Sequence, residues 1–362
     1  MKKSKKNLTA VDDQTLENEI MGMRNSLTTD RLDMSFGEIM AMYERDELII
    51  RPEFQRLYRW DSDQKTKFME SIILGIPIPP IFVAEDNDGR WELVDGLQRL
   101  STIFSFFGCL KTSEKNINNW FLGAGDLLPS LDGFCNDTLP TRYLLNIKRS
   151  VCRIEIIKWN SKWDMRYELF SRLNTGGAIL TEQEIRNSIF RSGLKKFYSF
   201  IETAVKQDNF RKITCLTSKQ KKKLFDQELI VRYVSLVDEW KDVDMPISLH
   251  ATTFMKNLLN AKSDIDDATI SRFNSTVDLL APLGKETFRI KSVFSPSAYD
   301  AIMIATTYHL EYFSKHNDRL KTAVDAVKSN DEFRATRSVA SSKTRTKKKI
   351  EIAMSIFSDL AK

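Results

Sequence analysis

The sequence predicts an α+β protein, with strands and helices together in the N-terminal half and helices alone in the C-terminal half. Two observations predict it. The strand-like runs "IFVAE", "RWELVD" and "SVCRIEIIKW" all lie before about residue 160, and beyond that point nearly every segment repeats its apolar residues at helical spacing. The chain has 362 residues, 42% of them apolar, which suffices for two domains of roughly 100–200 residues.

The elements follow in order. Residues 1–30 are polar and read as a loose tail with a short helix at Leu16–Met23. Ser35 with Glu38 three residues on forms the pattern of a capping box, and Phe36, Ile39, Met40 and Tyr43 recur at helical spacing after it. "IIRPEFQRLYRW" is extended, because Pro52 disfavours helix at Arg51. Asp61 and Gln64 start a second capped helix, "SDQKTKFMESIILG", which Gly75 ends. "IPIPP" cannot be helical and delivers the chain into Ile81–Glu85. "DNDG" is a turn signal, so Ile81–Glu85 and Trp91–Asp95 should form an antiparallel hairpin. Gly96 breaks out of it, and Leu97–Phe107 reads as a helix on the sheet.

Residues 108–147 show no sustained period. "SKWDMRYELFSRL" reads as an amphipathic helix stopped by "NTGG". Thr181 with Glu184 is another capping box. "FDQELIVRYVSLVDEW", "ATTFMKNLLNAK", "ATISRFNSTVDLLAPL" and "PSAYDAIMIATTYHLEYF" are each long enough for a helix. The expected domains are a tail at 1–30, a mixed domain at 31–190, and a helical domain at 191–362 with a basic C-terminal segment.

Composition excludes several classes. Cys109, Cys135, Cys152 and Cys215 form no CxxC pair and have no His at ligand spacing, so neither a zinc motif nor a disulfide framework is encoded. His250, His309 and His316 sit in no cluster resembling a nuclease motif and read as ordinary helical or surface residues. No apolar run reaches the ~20 residues of a membrane helix, and the N-terminal Lys cluster is followed by no apolar segment. The expectation is a cytoplasmic protein without a membrane partner. The net charge of +6 is compatible with a polyanionic partner.

The chemistry concentrates in Asp95-Gly96-Leu97-Gln98-Arg99, on the short turn between a strand and a helix. A helix start carries backbone N–H groups without intrahelical partners and the positive end of the dipole. A Gly before it lets an anion approach. Arg99 is a candidate for bidentate phosphate contacts, Ser101 and Thr102 for further hydrogen bonds, and Asp95 for a divalent cation, a ribose hydroxyl or a water. The residues alone leave a second reading open, in which Asp95 caps the helix and Arg99 pairs with an acid. Neither a Walker loop nor a GxGxxG is present.

"RPEFQRLYRW", "ESIILGIPIPPIFVAE", "VDGLQRLSTI" and "LFSRLNTGGAILTEQEIRN", in that order, resemble the signature blocks of one family, the N-terminal domains of GmrSD-type modification-dependent restriction enzymes. The resemblance runs from about Leu32 to Asn187 and continues more weakly through "FDQELIVRY" and "SPSAYDAIM". It implies a ParB/sulfiredoxin-like fold with a small mixed sheet, and a DGQQR motif associated with NTP binding and hydrolysis. That motif falls on Asp95, Gly96, Leu97, Gln98 and Arg99, with Leu97 replacing a Gln. Asp95, Gln98 and Arg99 are then the expected catalytic residues, with Mg²⁺ at Asp95. Gln55, Arg56, Gly96, Ser101, Thr102, Asn174, Thr175 and Gly176 are the expected nucleotide ligands. For Arg56 a structural salt bridge stays open, and for Asn174–Gly177 a plain helix C-cap. Tyr58 and Trp60 either stack on a base or pack internally, the commoner fate of aromatics. Arg186 and Asn187 lie on one side of a capped helix, from which they are expected to reach the turn.

Three basic runs remain: Lys2–Lys6, "KQKKK" at 219–223, and "RSVASSKTRTKKK" at 337–349, which carries no acid. A solvated face is the default for each; phosphate contact is the sharper reading, with Lys343, Arg345, Lys347, Lys348 and Lys349 as the candidate DNA ligands. The chain resembles a family member without an HNH-type nuclease domain. The expected function is NTP binding and hydrolysis in restriction or anti-phage defence, acting through DNA or a nuclease or other defence partner, with a homo-oligomer also compatible. The alternative is a non-catalytic, ParB-like, nucleotide-gated DNA-binding regulator. A sulfiredoxin-like redox enzyme is disfavoured, because the turn carries no Cys.

Overall fold

The computed structural model describes residues 13–24, 28–50, 58, 60–86, 88–112, 117–158, 161, 168–169, 172–173, 181–191, 193–339 and 344–362. The chain divides into two compact units, Met1–Ile179 and Leu180–Lys362. It is α+β, with a small mixed sheet in the N-terminal half and a helix-rich C-terminal half.

The sheet of the first unit has five strands: β1 (Thr29–Ser35), β2 (Leu48–Ile49), β3 (Ile81–Glu85), β4 (Trp91–Asp95) and β5 (Val151–Ile157), in the spatial order β1-β5-β3-β4-β2. β3 and β4 form the expected antiparallel hairpin, β3 and β5 run parallel, and β1 closes one edge antiparallel to β5. A bulge interrupts the hairpin, since Phe82 faces Asp95 while Val83 already faces Leu93. The extra residue in β4 re-aims the end of that strand just before the turn. Ile81, Val83, Leu93, Ile154 and Ile156 are buried in the sheet, and Leu100, Ile103 and Phe104 of the Leu97–Phe106 helix are buried in the same unit.

Local signals set the helix ends. The Ser62–Leu74 helix opens with the Asp61–Gln64 capping box and closes at Gly75, whose φ of 72° is the left-handed cap glycine adopts readily. Ser35 accepts from the Glu38 N–H, but Glu38 turns its carboxylate to Arg45, so only half of that capping box forms.

Three features depart from the sequence expectation. The segment read as tail, 1–30, contains a longer helix, Asp13–Arg24, and runs at Thr29 into β1, an edge strand with five of its seven residues exposed. Its Asp30, Arg31 and Asp33 hide the strand from a hydrophobicity pattern, while charges on an edge discourage further pairing. The second unit is not purely helical, because Arg289–Ile290 pairs with Val293–Phe294 in a two-residue ladder. "PSAYDAIMIATTYHLEYF" forms two helices, Pro296–Tyr308 and Leu310–Lys315, broken at His309. The expected helix at 161–173 lies largely outside the described residues.

In the second unit Pro296–Tyr308 is the central helix, with ten of its residues buried. Phe273 gathers Phe200, Phe210 and Tyr233 around it. Arg232 forms a two-pronged ion pair with Asp300 in this core.

Candidate functional site

The Asp95–Arg99 turn begins where β4 ends. Gly96 is buried and left-handed, with φ 104° and ψ 12°, and a Cβ there would lie 2.3 Å from Ile81 Cδ1. Only glycine meets both conditions without strain. Gly96 is the N-cap of the Leu97–Phe106 helix, and no side chain caps that helix start. Asp95 therefore is not the cap.

Arg99 has two tasks within the chain. Its Nη1 donates to the carbonyls of Pro79 at 2.5 Å and Pro80 at 2.9 Å, and its Nη2 to Asp95 Oδ2 at 2.7 Å. Its side chain is 12% exposed, against 44% for Asp95. A single guanidinium thus ties the segment entering β3 to the end of β4 and to the helix after it. The expected acid partner exists, but it is Asp95 of the same turn. A proline carbonyl as acceptor leaves no mark in a sequence pattern, so this use of Arg99 was not legible there.

Gln98 Oε1 accepts from the Trp60 N–H at 3.1 Å, which fastens the helix to the residue before the Asp61 cap. Ser101 and Thr102 are fully buried. Thr102 Oγ1 donates to the Gln98 carbonyl at 2.7 Å and lies 3.2 Å from the Tyr58 hydroxyl. Ser101 Oγ has no hydrogen-bond partner among the described residues. Neither hydroxyl is offered to solvent, and a ligand at this turn would meet the backbone of the helix start, Asp95 and the exposed edge of Arg99.

The aromatics of the preceding block pack internally. Trp60 sets its edge against Phe68. The Tyr58 hydroxyl lies 3.1 Å from Ser105 Oγ, which also accepts from Trp120 Nε1 at 3.1 Å. Burial raises the Tyr58 pKa, and its bonds to Ser105 and Thr102 pull the other way. The Lys65 amine sits 4.9 Å from the Tyr58 ring centre and 5.3 Å from that of Trp120. Burial lowers its pKa, partly offset by Asp61. Nothing in the sequence marked Lys65 or Trp120 as neighbours of this helix.

Gln55, Arg56, Asn174, Thr175, Gly176 and Lys343 lie outside the described residues. Arg186 and Asn187 are built into the interior of the second unit. Arg186 is fully buried, bonding Gln183 Oε1 at 2.9 Å and Ser248 and Thr252 at 3.3 Å. Asn187 donates to Gln227 Oε1 at 2.8 Å and accepts from Gln183 at 2.8 Å. The basic C-terminal run is likewise partly absorbed. Arg345 and Lys347 are half-buried on the Arg345–Leu360 helix, Lys348 pairs with Glu332 at 3.2 Å, and Lys349 is buried.

The histidines have local uses. His250 contacts the Ser235 carbonyl, His309 the Ala305 carbonyl and His316 the Tyr312 carbonyl. Among the described residues no three His, Cys, Asp or Glu side chains converge as a metal site. No helix among them is long and apolar enough to cross a membrane.

Residues 36–191 match the family model described as the GmrSD restriction endonuclease, N-terminal domain. No curated protein and no solved structure matches the chain.

Proposed function

We propose, on the footing of the match of residues 36–191 to the GmrSD N-terminal domain family, that the protein binds, and with Mg²⁺ hydrolyses, a nucleoside triphosphate at the Asp95–Arg99 turn in the service of DNA restriction or defence. The carrying observation is the uncapped helix start at Gly96, left-handed and without a side chain, with a carboxylate immediately before it. Helix-start N–H groups without intrahelical partners hold phosphate oxygens. A lone carboxylate suits a Mg²⁺ that arrives on the nucleotide's phosphates and keeps several waters. Asp95 would hold that ion or orient the attacking water. DNA, or a partner acting on DNA, would receive the nucleotide-dependent change.

A second reading, a nucleotide-gated DNA-binding regulator without turnover, is favoured by two observations. Arg99 is engaged by Pro79, Pro80 and Asp95, and Leu97 stands where the motif has a Gln. Phosphate release from each of four NTPs, with Mg²⁺ and with or without DNA, separates the two. Asp95→Asn is the informative variant because it keeps the side-chain shape. Turnover abolished by Asp95→Asn supports the enzyme. Nucleotide binding without turnover supports the regulator. No nucleotide binding at all overturns both.

A further inference from the structure

We infer that the second unit carries a phosphate-binding cleft of its own, formed where the Arg289–Phe294 hairpin meets the start of the Pro296–Tyr308 helix. The cleft encloses about 510 Å³ and is lined by three cations, Lys291, Arg334 and Lys349, with Ser295, Ser297 and Phe294 among the other walls. No described residue lining it is acidic. The adjoining stretch 337–349 contains no acid either. The cleft shares no residue with the turn of the first unit, so its fate does not depend on that site.

The three cations are held in different ways. Lys349 is 6% exposed, its amine 4.4 Å from the centre of the Phe333 ring and donating to Ser297 Oγ at 3.0 Å. Lys291 occupies a left-handed position, φ 52°, followed by Ser292 at φ 62°. Such two-residue hairpin turns favour Asn and Gly, so a Lys there is an unfavourable choice for a turn alone. Arg334 donates through Nε to the Lys328 carbonyl at 2.8 Å, which fixes the guanidinium at the rim. Three cations around one recess, two of them held by hydrogen bonds, raise the local positive potential where an anion would sit.

The volume is that of a small-ligand site, and Phe294 with Ile290 and Val293 gives it an apolar wall. The ligand chemistry is therefore a phosphate attached to an organic moiety: a nucleotide, either free or within a nucleic-acid strand.

The test uses the full-length chain and two probes, a fluorescently labelled single-stranded oligonucleotide and a fluorescent nucleoside diphosphate, with inorganic phosphate as competitor. Lys291→Gln with Arg334→Gln removes two exposed cations without touching the core, and Lys349→Met, with circular dichroism to confirm folding, removes the third. The expected result is an affinity loss of about tenfold or more for at least one probe in the double variant, and a salt slope shallower by roughly two for the oligonucleotide. Loss for the oligonucleotide alone identifies a nucleic-acid site, and loss for the diphosphate alone a free-nucleotide site. Wild-type affinity for both probes in the double variant overturns the inference, as does a wild-type protein that binds neither.

Discussion

Gly96 and Ile81 stand so close that the two strands of the hairpin and the helix after them meet at a point with no room for a Cβ, which would fall 2.3 Å from Ile81 Cδ1. Gly96→Ala should therefore destabilise the first unit by roughly 2–4 kcal/mol, from overpacking and from a positive φ in an alanine. Ile81→Val removes the clashing methyl, so the double variant should recover part of the loss and retain the backbone share. Denaturant unfolding of the three variants measures it, and strictly additive effects would show that the two positions do not meet.

Arg99→Ala should lower stability by roughly 2–3 kcal/mol even before any ligand is considered. It strips the donor from two proline carbonyls and leaves Asp95 without its partner. Loss of nucleotide affinity in this variant is then ambiguous unless its melting temperature is unchanged. Comparing thermal unfolding of Arg99→Ala with that of Asp95→Asn checks the point, with the first expected to fall much further.

Glu70 should prove a structural carboxylate. It is 2% exposed, and its Oε1 accepts from the backbone N–H groups of Leu127 at 2.7 Å and Leu128 at 2.6 Å. Glu70→Ala would leave both donors unsatisfied and cost roughly 2–4 kcal/mol, whereas Glu70→Gln keeps an acceptor and should cost less. Proteolysis around residues 121–131 should accelerate in the first variant and hardly change in the second.

The Arg232–Asp300 pair predicts a non-additive result in the second unit. Asp300→Ala leaves a buried guanidinium whose principal anion is gone, at a cost of about 3–5 kcal/mol. Arg232→Met with Asp300→Leu removes both charges and should be less harmful than the single change. Chemical denaturation resolves the coupling, and a double variant worse than either single would refute it.

Alkaline pH should weaken the fold in a defined window. Burial pushes the Cys109 and Cys152 thiols up to about 11 from an ordinary 9.0, and the Tyr233 hydroxyl up to about 12 from 10.0. A raised folded-state pKa means the unfolded chain gives up its proton first. Stability from these groups is complete below pH 9 and is lost as pH rises through 11 and 12. Urea midpoints between about pH 8 and 11.5 should fall across that range. At neutral pH a thiol reagent should modify exposed Cys215 well before buried Cys152.

The class, the hairpin and the capped helix starts were legible in the residues alone, because they depend on neighbours a few positions away. Asp61 and Thr181 announce their capping boxes, Gly75 the end of its helix, Gly96 the break out of the hairpin, and the turn between "IFVAE" and "RWELVD" their pairing. The Asp95–Arg99 turn was equally visible as a place where polar groups gather.

How those groups are used came from folding. That Arg99 grips the carbonyls of residues 79 and 80, that Thr102 turns inward to Tyr58, and that Arg186 and Lys349 are interior residues all follow from partners 19 to 66 positions away in the chain. Edge strand β1 escaped notice for a related reason. Its exposed charges carry no apolar period, and only the ladder with β5, more than a hundred residues later, makes it a strand. Local chemistry fixes what a segment can become, and the burial that selects among the possibilities is a property of the folded chain alone.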